Sequence, residues 1–267
     1  MIAGPVGGWG CAMGIPAKLE TSGLVEAKPY LIEQDYAKYT SDQQQLWSEL
    51  VSRRMEQLSR CACREYLDGW RALAIDSQRV PHLDEISDRM ERLTGWRAQP
   101  VSGFMPSRAF FEMLAARQFP TTTWLRSRES WDYTPEPDML HDVLGHLPMF
   151  AEQRFADAVA DYGRICQQME SEEKLESMGR LYWYTFEFGL IRQDGQVKVY
   201  GSGVASSHGE CTNVLSGGCE IRDFSVAEVL KTTVKVDEIH KKLFAIDSFD
   251  QVLGAVHDAC KLVEQAS

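Results

Sequence analysis

The chain has 267 residues, 44% of them hydrophobic and 25% charged, which suits a single folded unit with a substantial core. A formal net charge of −11, with no basic cluster to offset it, argues against a phosphate backbone as a partner. No apolar run is long enough to span a bilayer, so neither nucleic acid nor membrane is an expected partner.

Residues 1 to 28 read as a flexible N-terminal tail, and residues 29 to 267 as one domain. Met1 to Pro16 has glycines and small residues but no basic region followed by an apolar stretch, so it does not read as a signal peptide. Ser41 and Gln44 are placed to form a capping box ahead of Trp47, Leu50, Val51, Met55 and Leu58, which share a helix face. Leu83, Ile86, Met90 and Leu93 repeat by three and four, with Gly95 as the stop. Phe119 to Leu125 carries a strand signal. Phe155, Val159, Tyr162 and Ile165 mark another amphipathic helix, and Leu181 to Phe188 a buried helical turn or two ended by Gly189. Asp194-Gly195 is a hairpin signal before a strand over Gln196 to Tyr200. Ser248 and Gln251 are placed to cap a last helix with Leu253, Val256, Cys260 and Val263. The predicted fold class is mostly α with small β elements. Seven cysteines, an odd number at scattered spacings with no C-x-x-C pair, predict reduced thiols in a cytoplasmic protein.

The chemistry concentrates in two stretches, Thr134-Pro-Glu-Pro-Asp-Met-Leu-His141-Asp142-Val-Leu-Gly-His146-Leu-Pro148 and Arg180-Leu-Tyr-Trp-Tyr-Thr-Phe-Glu187-Phe-Gly189. Two histidines and one carboxylate are a ligand set for a mononuclear Fe(II) with open positions. On an ideal α-helix, however, His141 and His146 would point about 140° apart. Gly145 offers unusual backbone freedom and Pro148 a helix limit that would relieve this. Glu187 sits between Phe186 and Phe188, where an ionised carboxylate is costly unless paired or ligated. Spacing alone matches no tight metal template, so ligation and a hydrogen-bonding core role stand level for the two histidines. His82, His240 and His257 read as core histidines.

From about Tyr30 to Lys231 these motifs, in this order, resemble the pterin-dependent aromatic amino acid hydroxylases, and among them the bacterial-type phenylalanine hydroxylases. The resemblance implies that family's multihelical catalytic domain over residues 29 to 267. It implies His141, His146 and Glu187 as the catalytic iron ligands. Pro100 to Phe110 resembles the pterin loop, which assigns Gly103, Phe104, Met105, Ser107 and Phe110 to a tetrahydropterin (tetrahydrobiopterin or a related form), together with Asp142. By spacing alone Phe104, Phe110, Phe111 and Leu114 would be a core stripe, and only the resemblance lifts Phe110 above that. Arg126 is implied as the partner of the substrate α-carboxylate, a role that suits a bidentate guanidinium. Thr134 and Pro135 would shape the pocket wall, and Ser206 and Ser207 would hold substrate. Trp183 argues for a six-membered ring over tryptophan. Glu210 matches a family carboxylate, whereas Ser202, where Gly or Ala is common, and the His208-Gly-Glu-Cys-Thr stretch as a whole depart from the usual pattern.

The activity implied is Fe(II)- and tetrahydropterin-dependent hydroxylation of L-phenylalanine to L-tyrosine, with small molecules (amino acid, O₂, reduced pterin) as the partners. The alternative within the family is 3-hydroxylation to meta-tyrosine. A zinc hydrolase and a metal-stabilised binding module are the rivals outside it, and the absence of His-Glu-x-x-His counts against the first. A monomer without a regulatory domain is expected, because the segment after Phe249 is one helix without repeated heptads.

Overall fold

Thr40 opens the first long helix, α1 (Ser41–Cys61): its Oγ1 accepts from the Gln43 amide at 3.2 Å while Gln43 Oε1 accepts from the Thr40 amide at 3.0 Å. The capping box therefore lies one residue before the expected Ser41–Gln44 pair, because the Gln44 side chain is used elsewhere, accepting from Val80 N at 2.8 Å. The computed structural model describes residues 28–132, 134, 136–235 and 238–265; apart from Lys28, the expected tail lies outside them. Leu46, Trp47, Leu50, Val51 and Leu58 of α1 are buried, and Arg54 joins them while Met55 stays half-buried.

Helix α2 (Arg64–Ala72) lies against the 3₁₀ turn Leu147–Ala151, with Gly69 so close to the Pro148 carbonyl that any Cβ would overlap it. Helix α3 (Leu83–Thr94) stops at Gly95, whose φ of 78° is the left-handed conformation glycine adopts without strain. Its buried face is Leu83, Ile86 and Met90; Leu93, expected with them, is 46% exposed.

Strand β1 (Arg97–Val101) has no sequence signal, since it carries Pro100 and does not alternate. It pairs parallel with β2 (Gln118–Thr122), in register from Arg97 opposite Gln118 to Val101 opposite Thr122, and β2 stops short of the expected Leu125. Parallel strands need a crossover, supplied here by α4 (Ser107–Ala115). Helix α5 (Gln153–Cys166) packs on α4 through Gly163, and α6 (Glu172–Tyr182) follows.

The second sheet has the order β4-β3-β6-β5. Strands β3 (Leu190–Gln193) and β4 (Gln196–Val199) form the antiparallel hairpin that Asp194-Gly195 announces, both turn residues having positive φ (52° and 72°). Helices α7 (Ser202–Ser206) and α8 (His208–Leu215), strand β5 (Glu220–Asp223), the short helix α9 (Val226–Val229) and strand β6 (Lys242–Ile246) complete this half. The last helix, α10 (Phe249–Gln265), buries Phe249, Val252, Val256 and Val263, and Gln251 Oε1 accepts from the Asp247 amide at 2.9 Å. The fold is mostly α with small β elements, and no helix among the described residues is long and apolar enough to cross a membrane.

Candidate metal centre

Two π-helical turns carry the candidate ligands, His141–His146 and Trp183–Glu187. Each contains a hydrogen bond spanning five residues, from Leu147 N to Asp142 O and from Phe188 N to Trp183 O. A π turn closes after five residues instead of four, so it aligns two histidines that an α-helix would splay apart. The two Nε2 atoms lie 3.2 Å apart, with the rings nearly perpendicular. The expected remedy through Gly145 backbone freedom is corrected: this glycine has no positive φ and serves close packing, since a Cβ there would lie 2.9 Å from the Ser202 carbonyl oxygen.

Glu187 meets the pair from the second turn. Its Oε1 is 3.1 Å from His146 Nε2 and its Oε2 is 3.8 Å from His141 Nε2. Burial alone would raise the Glu187 pKa, but His146, His141 and the Ser202 hydroxyl outweigh it and hold the carboxyl at about 2. Burial pushes His141 down to about 4, so this imidazole is neutral at ordinary pH, the form that ligates a metal. Two imidazole nitrogens and a carboxylate oxygen converging in a buried spot form a donor set that fits a divalent iron. Asp142 also brings a carboxylate oxygen within 4.8 Å of the histidine nitrogens. Glu187 is the better placed donor, because Asp142 Oδ2 already accepts from Thr122 N and Thr122 Oγ1, both at 2.7 Å. Burial raises the Asp142 pKa to about 6, against the effects of His146 and Thr122.

The surrounding groups hold these side chains in place. Ser206 Oγ lies 2.8 Å from His141 Nδ1, so the tautomer that leaves Nε2 free for a metal has Nδ1 donating to the serine. Ser202 Oγ donates to Glu187 Oε2 at 2.7 Å. Asp138 Oδ1 accepts from the His141 amide at 3.1 Å, fixing the start of the ligand turn. The same carboxylate takes Arg126 Nε at 2.9 Å and Nη2 at 2.7 Å, in a pair that is nearly sealed from solvent.

A cavity opens on this centre. His141, Asp142, His146 and Glu187 form part of its wall, and Gly103, Phe104, Met105 and Phe110 another part. Gly103 has φ of 141°, a backbone conformation open to glycine alone without strain. Phe110 stands at the wall, edge-on to Tyr182, while Phe111 and Leu114 are core. Phe104 is 39% exposed at the rim. An aromatic wall beside three carboxylates (Glu136, Asp142 and Glu187) and an open glycine backbone fits a planar, nitrogen-rich heterocycle. Ser107 begins α4 and is buried, away from this lining. Sequence reasoning did not pick out Phe119, Pro120, Thr122, Trp124, Glu136, Pro137 or Tyr182 for this wall. Glu136, Pro137 and Tyr182 do lie within the two stretches where the chemistry concentrates, and the Thr-rich β2 signal covers the other four.

The residues expected to hold substrate are divided. Arg126 and Ser206 face a second, smaller cavity with Arg53, Arg54, Trp131 and His208. Two Arg126 donors are committed to Asp138, and Nη1 reaches only the Trp131 carbonyl, at 3.4 Å. Thr134 Oγ1 donates to the Glu136 carbonyl, and Pro135 lies outside the described residues. Trp183 is buried, off both cavity walls, with Nε1 donating to His240 Nε2 at 2.8 Å and its ring on Phe188. His240 in turn meets Glu210 Oε1 at 2.7 Å. Ser207 is the N-cap of α8, accepting from the Glu210 amide. His82 stacks on Tyr36 and His257 pairs with Asp161, both away from the centre.

A sequence profile described as biopterin-dependent aromatic amino acid hydroxylase matches residues 31–266. The chain is 35% identical over 231 residues to the phenylalanine-4-hydroxylase of Chromobacterium violaceum, covering 86% of this chain and 78% of that protein. The crystal structure of phenylalanine hydroxylase from the same organism with oxidised Fe(III) superposes with a TM-score of 0.86 at 35% identity, covering 90% and 88% of the two chains. A second structure of it, holding iron(III) and oxidised 7,8-dihydrobiopterin, gives 0.84 at 34% identity, covering 89% and 87%.

Proposed function

The chain belongs to the biopterin-dependent aromatic amino acid hydroxylases, and from that premise we propose that it is an Fe(II)- and tetrahydropterin-dependent monooxygenase converting L-phenylalanine to L-tyrosine. The observation that carries this reading is the convergence of His141, His146 and Glu187 on one wall of a cavity lined by the pterin-loop residues. In this reading those three side chains hold the iron. Gly103, Phe104, Met105, Phe110 and Asp142 hold the pterin, and Ser107 supports the loop from the start of α4. When bound, Fe(II) and the reduced pterin together supply the dioxygen chemistry that the amino acid side chains lack.

The protein's own contribution is position and electrostatics. The low proton affinity of buried His141 keeps its Nε2 lone pair available, and Ser206 on Nδ1 fixes the ring. Glu187 supplies one negative charge at a place where water is largely excluded. Thr122 holds the Asp142 carboxylate toward the cavity through two donors on one oxygen. The apolar wall of Phe110, Phe119, Pro120 and Trp124 limits the water that can enter. For the amino acid substrate, the second cavity with its arginines suits a carboxylate, and Ser206, which lies between that cavity and His141, links it to the metal ligand. Arg126 would act there through Nη1. Free cysteines among the described residues support a cytoplasmic location, and a monomer belongs to the same proposal.

The test is a product assay on protein reconstituted anaerobically with Fe(II), then given phenylalanine, a tetrahydropterin and air, with the three tyrosine isomers separated by chromatography. Para-tyrosine, dependent on both pterin and iron, is the expected product. Meta-tyrosine would overturn the position of attack, and metal-dependent hydrolysis without oxygen uptake would overturn the reaction class.

A further inference from the structure

We propose that Ser202 is a positioning residue that sets which oxygen of Glu187 is offered to the metal. Its Oγ lies 2.7 Å from Glu187 Oε2, whereas Oε1 is the oxygen that lies 3.1 Å from His146 Nε2. Among the described residues the other acceptor near the hydroxyl is the Phe186 carbonyl at 3.4 Å, so the proton goes to the charged, nearer oxygen. Ser202 is 1% exposed, and water does not compete for this bond.

The fold makes Ser202 a rigid donor. It is the first residue of α7, whose last residue, Ser206, holds His141 Nδ1 at 2.8 Å. Residues four apart share a helix face, so one face of α7 grips two of the three candidate ligands. Arg54 anchors α7 at its other end: Nε and Nη2 donate to the Ala205 carbonyl at 3.0 and 2.6 Å, and Nη2 reaches that of Val204 at 3.5 Å. A buried cation on the last carbonyls of a helix is favourable. Against the ligand turn, Ser202 packs where Gly145 has no side chain; a Cβ at 145 would meet Ser202 O at 2.9 Å and Cβ at 3.1 Å.

The terminal torsion of a glutamate is broad and nearly two-fold, so an unrestrained carboxylate turns easily and presents either or both oxygens. A hydrogen bond from Ser202 to Oε2 restrains that torsion and weakens Oε2 as a donor, so Glu187 offers Oε1 in preference. This role follows only if Glu187 is a ligand, as proposed above.

The experiment compares wild type with Ser202→Ala, which removes one buried oxygen atom, and Ser202→Thr, which returns a hydroxyl. Each protein is loaded with Co(II), whose visible absorption reports the number and arrangement of ligands, and Fe(II) affinity is measured by competition with a chromogenic chelator. Ser202→Ala should bind Fe(II) about 10- to 100-fold more weakly, the usual consequence of removing an outer partner of a metal ligand. Its Co(II) spectrum should change, and Ser202→Thr should bring both readings back toward wild type. Circular dichroism establishes that each variant is folded, and Ser202→Ala decides the matter by itself if the threonine does not fit. A folded Ser202→Ala with the wild-type Co(II) spectrum and iron affinity overturns the role of Ser202 while leaving the ligand set standing. Failure of the wild-type protein to bind metal, or binding that survives His146→Ala, overturns both.

Discussion

Asp138 shows how much depends on single side chains beneath the centre. It is wholly buried, neutralises the nearly buried Arg126 and takes the His141 amide. Removing one member of a buried ion pair leaves the other charge without a partner, at a cost of about 3–5 kcal/mol. Asp138→Ala should therefore lower stability by that amount in urea unfolding, and iron retention should fall with it. An unchanged urea midpoint would mean that Arg126 finds another partner. Thr122 is a milder case. Thr122→Val keeps the backbone amide on Asp142 but deletes the hydroxyl, and the loss of one buried hydrogen bond costs roughly 1 kcal/mol. Steady-state kinetics should show a raised KM for tetrahydropterin with little change in the KM for phenylalanine. A KM for pterin equal to wild type would remove Asp142 from that role.

Among the elements, the two π turns have the least visible sequence signature. The five-residue spacing of His141 and His146 conflicts with an α-helix, and that conflict was legible; its solution was not. A π turn trades ordinary helical hydrogen bonds for a reordered face, and it persists because α7 packs on it and Tyr66 of α2 donates to its Leu144 carbonyl at 2.6 Å. Strand β1 was equally hidden, since parallel pairing with β2 stabilises a segment with no strand pattern of its own. By contrast α3, α5, α10 and the β3–β4 hairpin were legible, because apolar period, a glycine stop and a turn dipeptide act locally. The α4–α5 crossing offers a test. At Gly163 a Cβ would meet Ala115 N at 2.5 Å and Leu114 Cβ at 2.7 Å. Alanine gains about 1 kcal/mol of helix propensity over glycine, but overpacking against a backbone atom that cannot swing away costs about 1–3 kcal/mol. Gly163→Ala should lower the thermal midpoint, and a rise would show that α4 and α5 separate freely.

Across the whole molecule, the candidate ligands join distant parts of the chain: the turn at 141–146 and the turn at 183–187, with α7 braced by α1 through Arg54. Metal binding should therefore stabilise the entire fold. At free Fe(II) a hundredfold above its Kd, mass action gives about 2.7 kcal/mol. Under anaerobic conditions, melting with Fe(II) should occur at a higher temperature than with chelator, and His146→Ala should show no difference between the two. A metal-dependent shift that persists in His146→Ala would place the stabilising ion elsewhere.

The sequence by itself determined the fold class, the positions of α1, α3, α5 and α10 and the stretches where chemistry resides, because period, caps and turn residues act within a few positions and because several motifs of one family occur in order. For the site it carried the residue types and their order, including the oddity of Ser202. The tertiary structure alone decided how they meet. It placed Glu187 Oε1 on His146, brought Ser202 and Ser206 onto two different candidate ligands, committed Arg126 to Asp138 and made Ser207 a helix cap. Each of these contacts joins residues whose geometry is set by the packing of other elements, and no local pattern records which oxygen of a carboxylate will face which neighbour.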